Sequence, residues 1–464
     1  MKTLEKFESP QLKKIHAGKV RDSIRINDKK RMIVVTDRIS AFNKNLKNSA
    51  IPYKGAVLNN LTNFWFEKTK DIIPNHFIEQ IDDNISIVKE CQPIKVEMIV
   101  RAYLTGSMWR GYQNGQRIFS GAEVLDGLSS NQKFPEPILT PTTKDEFDSE
   151  ITEAEIIKTG LADEKTYKKM KEISLKLFKF GSDFLEEKGI ILVDTKYEFG
   201  IYDGKLILID EMHTPDSSRF WKKEDYDKSP QDVVQADKEF VRQWMLKNKI
   251  KSKIPDVLPP EVIEETSKRY KEIYKDITGK EITETNIDVS TRIYYNLQNV
   301  GYIKAGYIAM IMGSKSDLKH AEKIKSHLEK FDVKTEMRII SAHKNGERLN
   351  ELAEVYNFAI EPISVIAIAG RSNGLGGALA ANLNVPVINC PPFTGKDDIM
   401  LNINSSLIMP SNTPAVTVVH PDNAALAAIR SLNIPQFKQQ MTKDIQAMKE
   451  DLIKDDGEIR NLEL

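Results

Sequence analysis

The residues best suited to chemistry lie in the stretch Ile190 to Trp221, ILVDTKYEFGIYDGKLILIDEMHTPDSSRFW. Two apolar runs flank Asp203-Gly204, a pair that marks a tight β-hairpin. Asp194, Glu198, Asp210 and Glu211 fall at strand positions that a sheet would bury. A carboxylate there is costly unless it is paired or holds a metal. Mg²⁺ is the fitting ion, because it takes one or two carboxylates and completes its shell with nucleotide phosphates. Side chains alternate faces along a strand, so register decides which carboxylates can share an ion. A three-residue loop, Tyr202-Asp203-Gly204, puts Lys196, Glu198, Leu208 and Asp210 on one face. A two-residue Asp-Gly turn puts Glu198 with Glu211 instead. The plainer alternative makes these carboxylates solvated residues of an exposed hairpin.

Two other segments offer anion-binding chemistry. In HAGKVRDSI, Gly18 lets the backbone approach a nucleotide while Lys19 and Arg21 meet its phosphates, although a turn beside two surface cations looks the same. In IKVEMIVRAYLTGSMWRGY, alternation separates Val96, Met98 and Val100 from Lys95, Glu97, Ile99 and Arg101. The second set reads most simply as an exposed polar face. The Thr105-Gly106-Ser107 loop that follows suits phosphate or carboxylate binding by backbone N–H groups.

These residues need a scaffold. Helical spacing runs over Glu164 to Lys188, Gln235 to Lys247 and Pro260 to Gly279, the last with an apolar stripe and a glycine stop. A chain of 464 residues divides into two or three domains. Its 67 basic and 67 acidic residues balance, which argues against a nucleic-acid or membrane-surface role. No run of 18 apolar residues and no N-terminal apolar segment is present, so a cytoplasmic protein is expected. Cys91 and Cys390, far apart and without a CxxC, exclude a disulfide framework or structural zinc.

GKVRD, TDRISAF, KVEMIVRAYLTGS, DTKYEFG, IDEMHTPDSSRFW and DKEFVRQW together resemble phosphoribosylaminoimidazole-succinocarboxamide (SAICAR) synthetase, in that family's order, over about residues 10–282. The resemblance implies an ATP-grasp-like α+β fold. It also implies a reaction in which ATP, Mg²⁺ and L-aspartate convert the imidazole carboxylate CAIR to its succinocarboxamide. Gly18, Lys19 and Arg21 would then serve ATP, and Glu198 with Asp210 would hold Mg²⁺, which favours the three-residue loop. Arg101, Ser107, Asp216, Arg219 and Arg242 would bind CAIR, arginine suiting phosphate and carboxylate through its bidentate fork. The acidic loop departs from the family's Ser-Thr-Lys and His-Asp: here it has Thr142-Thr143-Lys144 and Phe147-Asp148.

Residues 283–304 fit neither pattern and read as a packed connector, with Tyr294, Leu297 and Val300 on one helical stripe. From 305 to 464, short unbroken apolar strands (308–312, 333–340, 364–369, 385–389 and 415–419) alternate with amphipathic helices. That is the pattern of a doubly wound parallel α/β sheet. GSKSD, SAHKNG, GRSNGLGG and HPDN fall at strand ends, where such folds bind ligands. Ser314 and Ser316 with the helix start near Asp317 suit a phosphate, and His343 suits proton exchange near neutral pH.

MGSKSD, SAHK and AGRSNGLG resemble phosphoribosylaminoimidazole (AIR) carboxylase over about residues 307–450. The bacterial mutase branch of that family has SAHR and a glycine-alanine-rich loop. Ser341-Ala342-His343-Lys344 and Gly370-Arg371-Ser372-Asn373-Gly374 are features of the branch that takes CO₂ directly, as in animal bifunctional enzymes. The resemblance implies carboxylation of AIR at imidazole carbon 4 without ATP or biotin. It gives the CO₂ pocket to Lys344, Ser372, Asn373 and Gly374, proton shuttling to His343, and the ribose phosphate to Ser314, Ser316 and Asp317. Ser341 and Arg371 belong to the same AIR/CO₂ set, and His343, Lys344 and Asp317 to the catalytic one. It also implies a homo-octamer formed through this domain, to which a helix over Gln436 to Lys454 can contribute. The expected whole is a bifunctional purine-biosynthesis enzyme, with domains 1–282 and 305–464. Its rivals are a C-terminal mutase, a C-terminal scaffold without activity, and a general nucleotide-binding regulator.

Overall fold

Alternating antiparallel strands build the first part of the chain and unbroken apolar strands the second. The computed structural model describes residues 3–42, 44–145, 148–231, 233, 238–249, 253–370, 374–393 and 395–462. It divides into two units. One holds the chain up to Lys6 and Lys14–Ile293; the other holds Phe7–Lys13 and Tyr294–Leu464.

In the first unit, a five-stranded sheet runs in the order Lys13–Ala17, Arg21–Arg25, Lys30–Val35, Ile85–Lys89, Phe77–Asp82. A second, six-stranded antiparallel sheet centres on the long strands Gln92–Tyr103 and Ile190–Tyr202. The helix Glu164–Glu186, capped by the Asp163 carboxylate on the Thr166 N–H at 2.7 Å, buries Met170, Leu177 and Phe178 in the core shared with that sheet. Lys54–Lys68 and Pro260–Thr278 pack together behind it, the latter ended by Gly279 at φ 72°. Only Glu239–Lys247 of the expected helix from Gln235 is described, residues 235–237 lying outside the described ones.

The hairpin register corrects one expectation. Tyr202 pairs with Lys205 and Glu198 with Ile209, so the loop is the two-residue Asp203-Gly204 turn. Both loop residues have positive φ, 48° and 69°, the type I′ geometry whose twist matches the flanking strands. The polar face of the Gln92 strand is a second correction, since Glu97 is buried rather than solvated.

The connector region contains the helix Val289–Asn299, and the division between units falls inside it. Tyr294 and Leu297 are buried, but Val300 is exposed and leaves the expected stripe.

The second unit is a five-stranded sheet in the order Val333–Ile339, Gly306–Met312, Ile363–Ile368, Val387–Asn389, Val416–Thr417, every pairing parallel. All residues of Gly306–Met312 are buried, as a strand covered on both faces requires. Two separate cores, one around Met310 and Ile324 and one around Ile311 and Leu352, line the two faces. Ile360 N–H donates to the Glu8 carbonyl and Ser9 Oγ to Glu361 Oε1, which stitches Phe7–Lys13 into this unit. The chain's final helix, Pro435–Leu462, buries only Phe437 and Met441 among its described side chains. No helix among the described residues is long and apolar enough to cross a membrane.

Candidate active site

A cleft of about 640 Å³ in the first unit lies between its two sheets and is lined by Gly18, Lys19, Arg21, Lys196, Glu198 and Asp210 among others. Gly18 N–H donates to the Arg21 carbonyl at 2.8 Å, closing the turn between Lys13–Ala17 and Arg21–Arg25. A Cβ on Gly18 would come within 2.7 Å of that carbonyl oxygen, so the tight turn needs glycine.

Arg21 is committed to carboxylates: Nη1 meets Asp210 Oδ1 at 2.6 Å, and Nη2 pairs with Glu211. Burial opposes its charge, but the fields of Glu211, Asp210 and Asp216 outweigh burial and raise its pKa. Burial likewise opposes the Asp210 carboxylate, yet Arg21, Lys196 and Lys144 hold it well below the usual carboxylate range. Lys196 Nζ donates to Glu97 Oε1 at 2.7 Å and to Glu198 Oε1 at 2.5 Å, and lies 3.9 Å from Asp210 Oδ2. Lys144 pairs with the other Glu198 oxygen.

Glu198 and Asp210 therefore converge on one ammonium from strand positions that strict alternation would separate. Asp210 joins because it ends the strand in the left-handed region, φ 66°. Two carboxylates meeting where a cation already sits are a donor set that fits Mg²⁺. Among the described residues no group of three or more His, Cys, Asp or Glu forms a complete metal cage, so phosphate oxygens and water would complete the shell.

Arg101, Ser107, Asp216, Arg219 and Arg242 all line one adjoining hollow of about 190 Å³. Arg101 and Arg219 both pair with Asp194 Oδ2, which fixes the two guanidiniums side by side. Ser107 opens the helix Gly106–Gln113, and a Cβ on Gly106 would come within 2.5 Å of Arg219 Nη2. Asp216 is spoken for: Oδ2 accepts from Lys54 at 2.8 Å and Oδ1 from the Tyr270 hydroxyl at 2.7 Å, with Lys238 at 3.5 Å. Burial works against its charge, but Lys238 and Lys54 hold it ionised far below the usual range. Lys196, Asp216, Lys238 and Arg242 line both cavities. A third hollow beside Ser107 adds Arg110 to Arg219 and Arg242. Sequence reading missed Lys54, Lys238 and Arg110 as site residues. Lys238 stands in the quoted DKEFVRQW segment; Lys54 and Arg110 carry no motif.

In the second unit, the Ser314 N–H donates to Asp317 Oδ2 at 3.0 Å, and the Ser314 and Ser316 hydroxyls lie 2.5 Å apart in the turn that starts the helix Leu318–Leu328. Burial raises the Asp317 pKa. The Ser341 N–H donates to Asn345 Oδ1, and His343 and Lys344 follow it, exposed, at the end of Val333–Ile339. His343 lies against Gly374, where a Cβ would come within 2.9 Å of its Cε1. A Cβ on Gly313 would come within 3.3 Å of the Ala369 Cβ, so the first three strand-end loops meet at one edge. Arg371, Ser372 and Asn373 lie outside the described residues. Cys390, not singled out as a site residue, is buried with Sγ 3.3 Å from His320 Nε2; burial pushes its thiol up to about 12.

Residues 14–257, more than half of the chain, match the SAICAR synthetase family, and the chain belongs to it. Residues 307–454 match AIR carboxylase, so a domain of that second family follows the first on one polypeptide. The phosphoribosylaminoimidazole-succinocarboxamide synthases of Bacteroides thetaiotaomicron and Flavobacterium psychrophilum are 42% and 39% identical over 314 and 306 residues. Each alignment covers 64% of this chain, and 99% and 96% of the respective relative. The solved SAICAR synthase from Saccharomyces cerevisiae, complexed with SAICAR, is 34% identical with a TM-score of 0.55, covering 61% of this chain and 100% of that one.

Proposed function

We propose that the chain catalyses two consecutive steps of purine biosynthesis in the cytoplasm. The second unit carboxylates AIR with CO₂ to give CAIR. The first unit condenses CAIR with L-aspartate and ATP to give SAICAR, ADP and phosphate. The observation that carries the synthetase reading is the wall shared by the two cavities, with Lys196 and Asp216 common to both. A nucleotide and an imidazole carboxylate bound on either side of that wall are held next to each other.

A carboxylate is a poor electrophile, so it must first become an acyl phosphate, which the aspartate amine then attacks with loss of phosphate. Phosphoryl transfer needs mainly positioning and charge neutralisation. Lys19 and the Gly18 backbone hold the ATP phosphates. Glu198 and Asp210 hold Mg²⁺, which when bound supplies further neutralisation. Arg101 and Arg219, oriented by Asp194, take the anionic groups of CAIR with Ser107 and Arg242.

In the second unit, AIR is an enamine-like nucleophile, so carboxylation needs neither ATP nor biotin. Ser314, Ser316 and Asp317 hold the phosphate end. Lys344, Ser372, Asn373 and Gly374 serve CO₂, Ser341 and Arg371 belong to the same AIR/CO₂ set, and His343 moves the ring proton. Ser341-Ala342-His343-Lys344 supports the CO₂-using branch over the mutase. Met400, Leu401 and Leu407 on the helix Lys396–Leu407, with Ile408 just after it, are exposed and support assembly into an octamer through this domain.

A mass-spectrometric time course tests the whole. Purified protein is given AIR and bicarbonate, with ATP, Mg²⁺ and aspartate added later. Carboxylated product before ATP and succinocarboxamide after it are expected. Product that forms only from the N-carboxylated carbamate of AIR would replace the carboxylase by the mutase. No succinocarboxamide from supplied CAIR would end the synthetase reading.

A further inference from the structure

The Gly18–Val20 turn is held by its carbonyls. Arg38 Nη2 donates to the Gly18 carbonyl at 3.0 Å, and Arg38 Nε donates to the Lys19 carbonyl at 3.2 Å. The next carbonyl, that of Val20, accepts from the Thr36 N–H at 2.9 Å and from the Thr36 hydroxyl at 2.5 Å. Thr36 and Arg38 thus secure three successive carbonyls of the turn. The Arg38 guanidinium is anchored in its own right. Its Nη1 donates to the Glu5 carbonyl at 2.9 Å, and its Nη2 also donates to Asp22 Oδ1 at 2.6 Å. Asp22 is buried and has Lys14 Nζ, at 3.5 Å, as a second cation.

In a planar trans peptide the N–H points opposite to the carbonyl it is bonded to. Holding the Gly18 and Lys19 carbonyls at Arg38 therefore turns the Lys19 and Val20 N–H groups to the other side. Gly18, Lys19 and Val20 border the cleft, and Arg38 is not among the described residues that line it. Successive N–H groups in a turn make a concavity that attracts anions. A carbonyl oxygen facing the same anion would repel it.

We infer that Arg38 is a positioning residue for the nucleotide phosphates, its fork drawing the turn's carbonyls back so that the Lys19 and Val20 N–H groups meet those phosphates. The inference rests on the synthetase reading above. An arginine that merely balanced Asp22 would be replaceable by lysine. One that holds the turn needs a planar fork with several fixed donors, which an ammonium lacks.

Full-length wild type and Arg38→Lys are titrated calorimetrically with Mg²⁺·ADP and, separately, with CAIR. A hydrogen bond to a charged group is worth about tenfold or more in affinity. Arg38→Lys is therefore expected to bind Mg²⁺·ADP at least about tenfold more weakly, with unchanged CAIR affinity and the wild-type unfolding transition. Wild-type Mg²⁺·ADP affinity in Arg38→Lys would overturn the inference. So would a parallel loss of CAIR binding, the mark of a merely structural role. If Arg38→Lys lacks the wild-type unfolding transition, Arg38→Gln replaces it under the same criteria, Lys14 being the cation left to Asp22. Failure of the synthetase reading looks different: the wild type itself then binds neither ligand.

Discussion

Glu97 and Glu198 stand directly opposite each other on neighbouring strands, both buried, with the Lys196 ammonium donating to each. Like charges so placed repel, and removing the cation they share leaves the buried pair with only the Lys144 that also meets Glu198 to offset it. Lys196→Met is expected to lower the unfolding free energy by about 3 kcal/mol and to abolish succinocarboxamide synthesis. Urea denaturation at pH 7 reads the first effect; wild-type stability in that variant would refute this account.

Asp210 and Glu211 are neighbours with different duties. Asp210 is shared by Arg21 and Lys196, whereas Glu211 is tied to Arg21 and the Thr214 hydroxyl. Asp210→Asn should cost on the order of a hundredfold in Mg²⁺-dependent turnover, and Glu211→Gln less than about tenfold. Initial rates across a Mg²⁺ series decide it. The reverse order of damage would move the metal to Glu211.

Two buried histidines make the first unit sensitive to acid. Burial depresses His213 to about 3 and His76 to about 4, both from 6.5. Their neutral forms favour the folded state fully above pH 6.5, and that stability is lost as pH falls towards the folded values. Asp37 works the other way. Burial raises it from 3.8 to about 6, so its contribution is full below 3.8 and is lost as pH rises through 6. Between pH 4 and 6 the two histidines less one carboxyl leave a net slope of about 1.4 kcal/mol per pH unit. His213→Gln should flatten that slope by about one proton, measured as urea unfolding free energy from pH 7 to 4; an unchanged slope would show that His213 takes up no proton on unfolding.

Gly374 offers a selective probe of the second unit. A methyl group there would press on the His343 ring. Gly374→Ala is expected to slow AIR carboxylation at least about tenfold while CAIR-fed succinocarboxamide synthesis continues at the wild-type rate. Equal rates of carboxylation in variant and wild type would separate His343 from the chemistry.

Much of the layout was legible in residue patterns. Unbroken apolar runs predicted the parallel sheet because a strand buried on both faces has no polar side to alternate with. The hairpin was legible from Asp203-Gly204, but its loop length was not, since either register keeps the apolar residues inside. Glu198 and Asp210 do meet, by a backbone twist at residue 210 that alternation does not foretell. Glu97 was misread because periodicity shows which residues share a face, not what covers it; Thr142–Thr143 pair against that strand. Lys54 had no local signal, its partner Asp216 being 162 residues away.

Ser9 and Glu361, joined by a hydrogen bond, are 352 positions apart. At roughly 5–20 residues per second of synthesis, the segment around Ser9 leaves the ribosome some tens of seconds before its partner is made. Phe7–Lys13 are thus among the last residues to find their place, and they belong to the unit translated last. During that interval the first unit can fold with the Phe7–Lys13 segment, between Lys6 and Lys14, still waiting. Completion of the second unit then draws that segment in, so a truncated message leaves Phe7–Lys13 as a loose loop on a folded first unit.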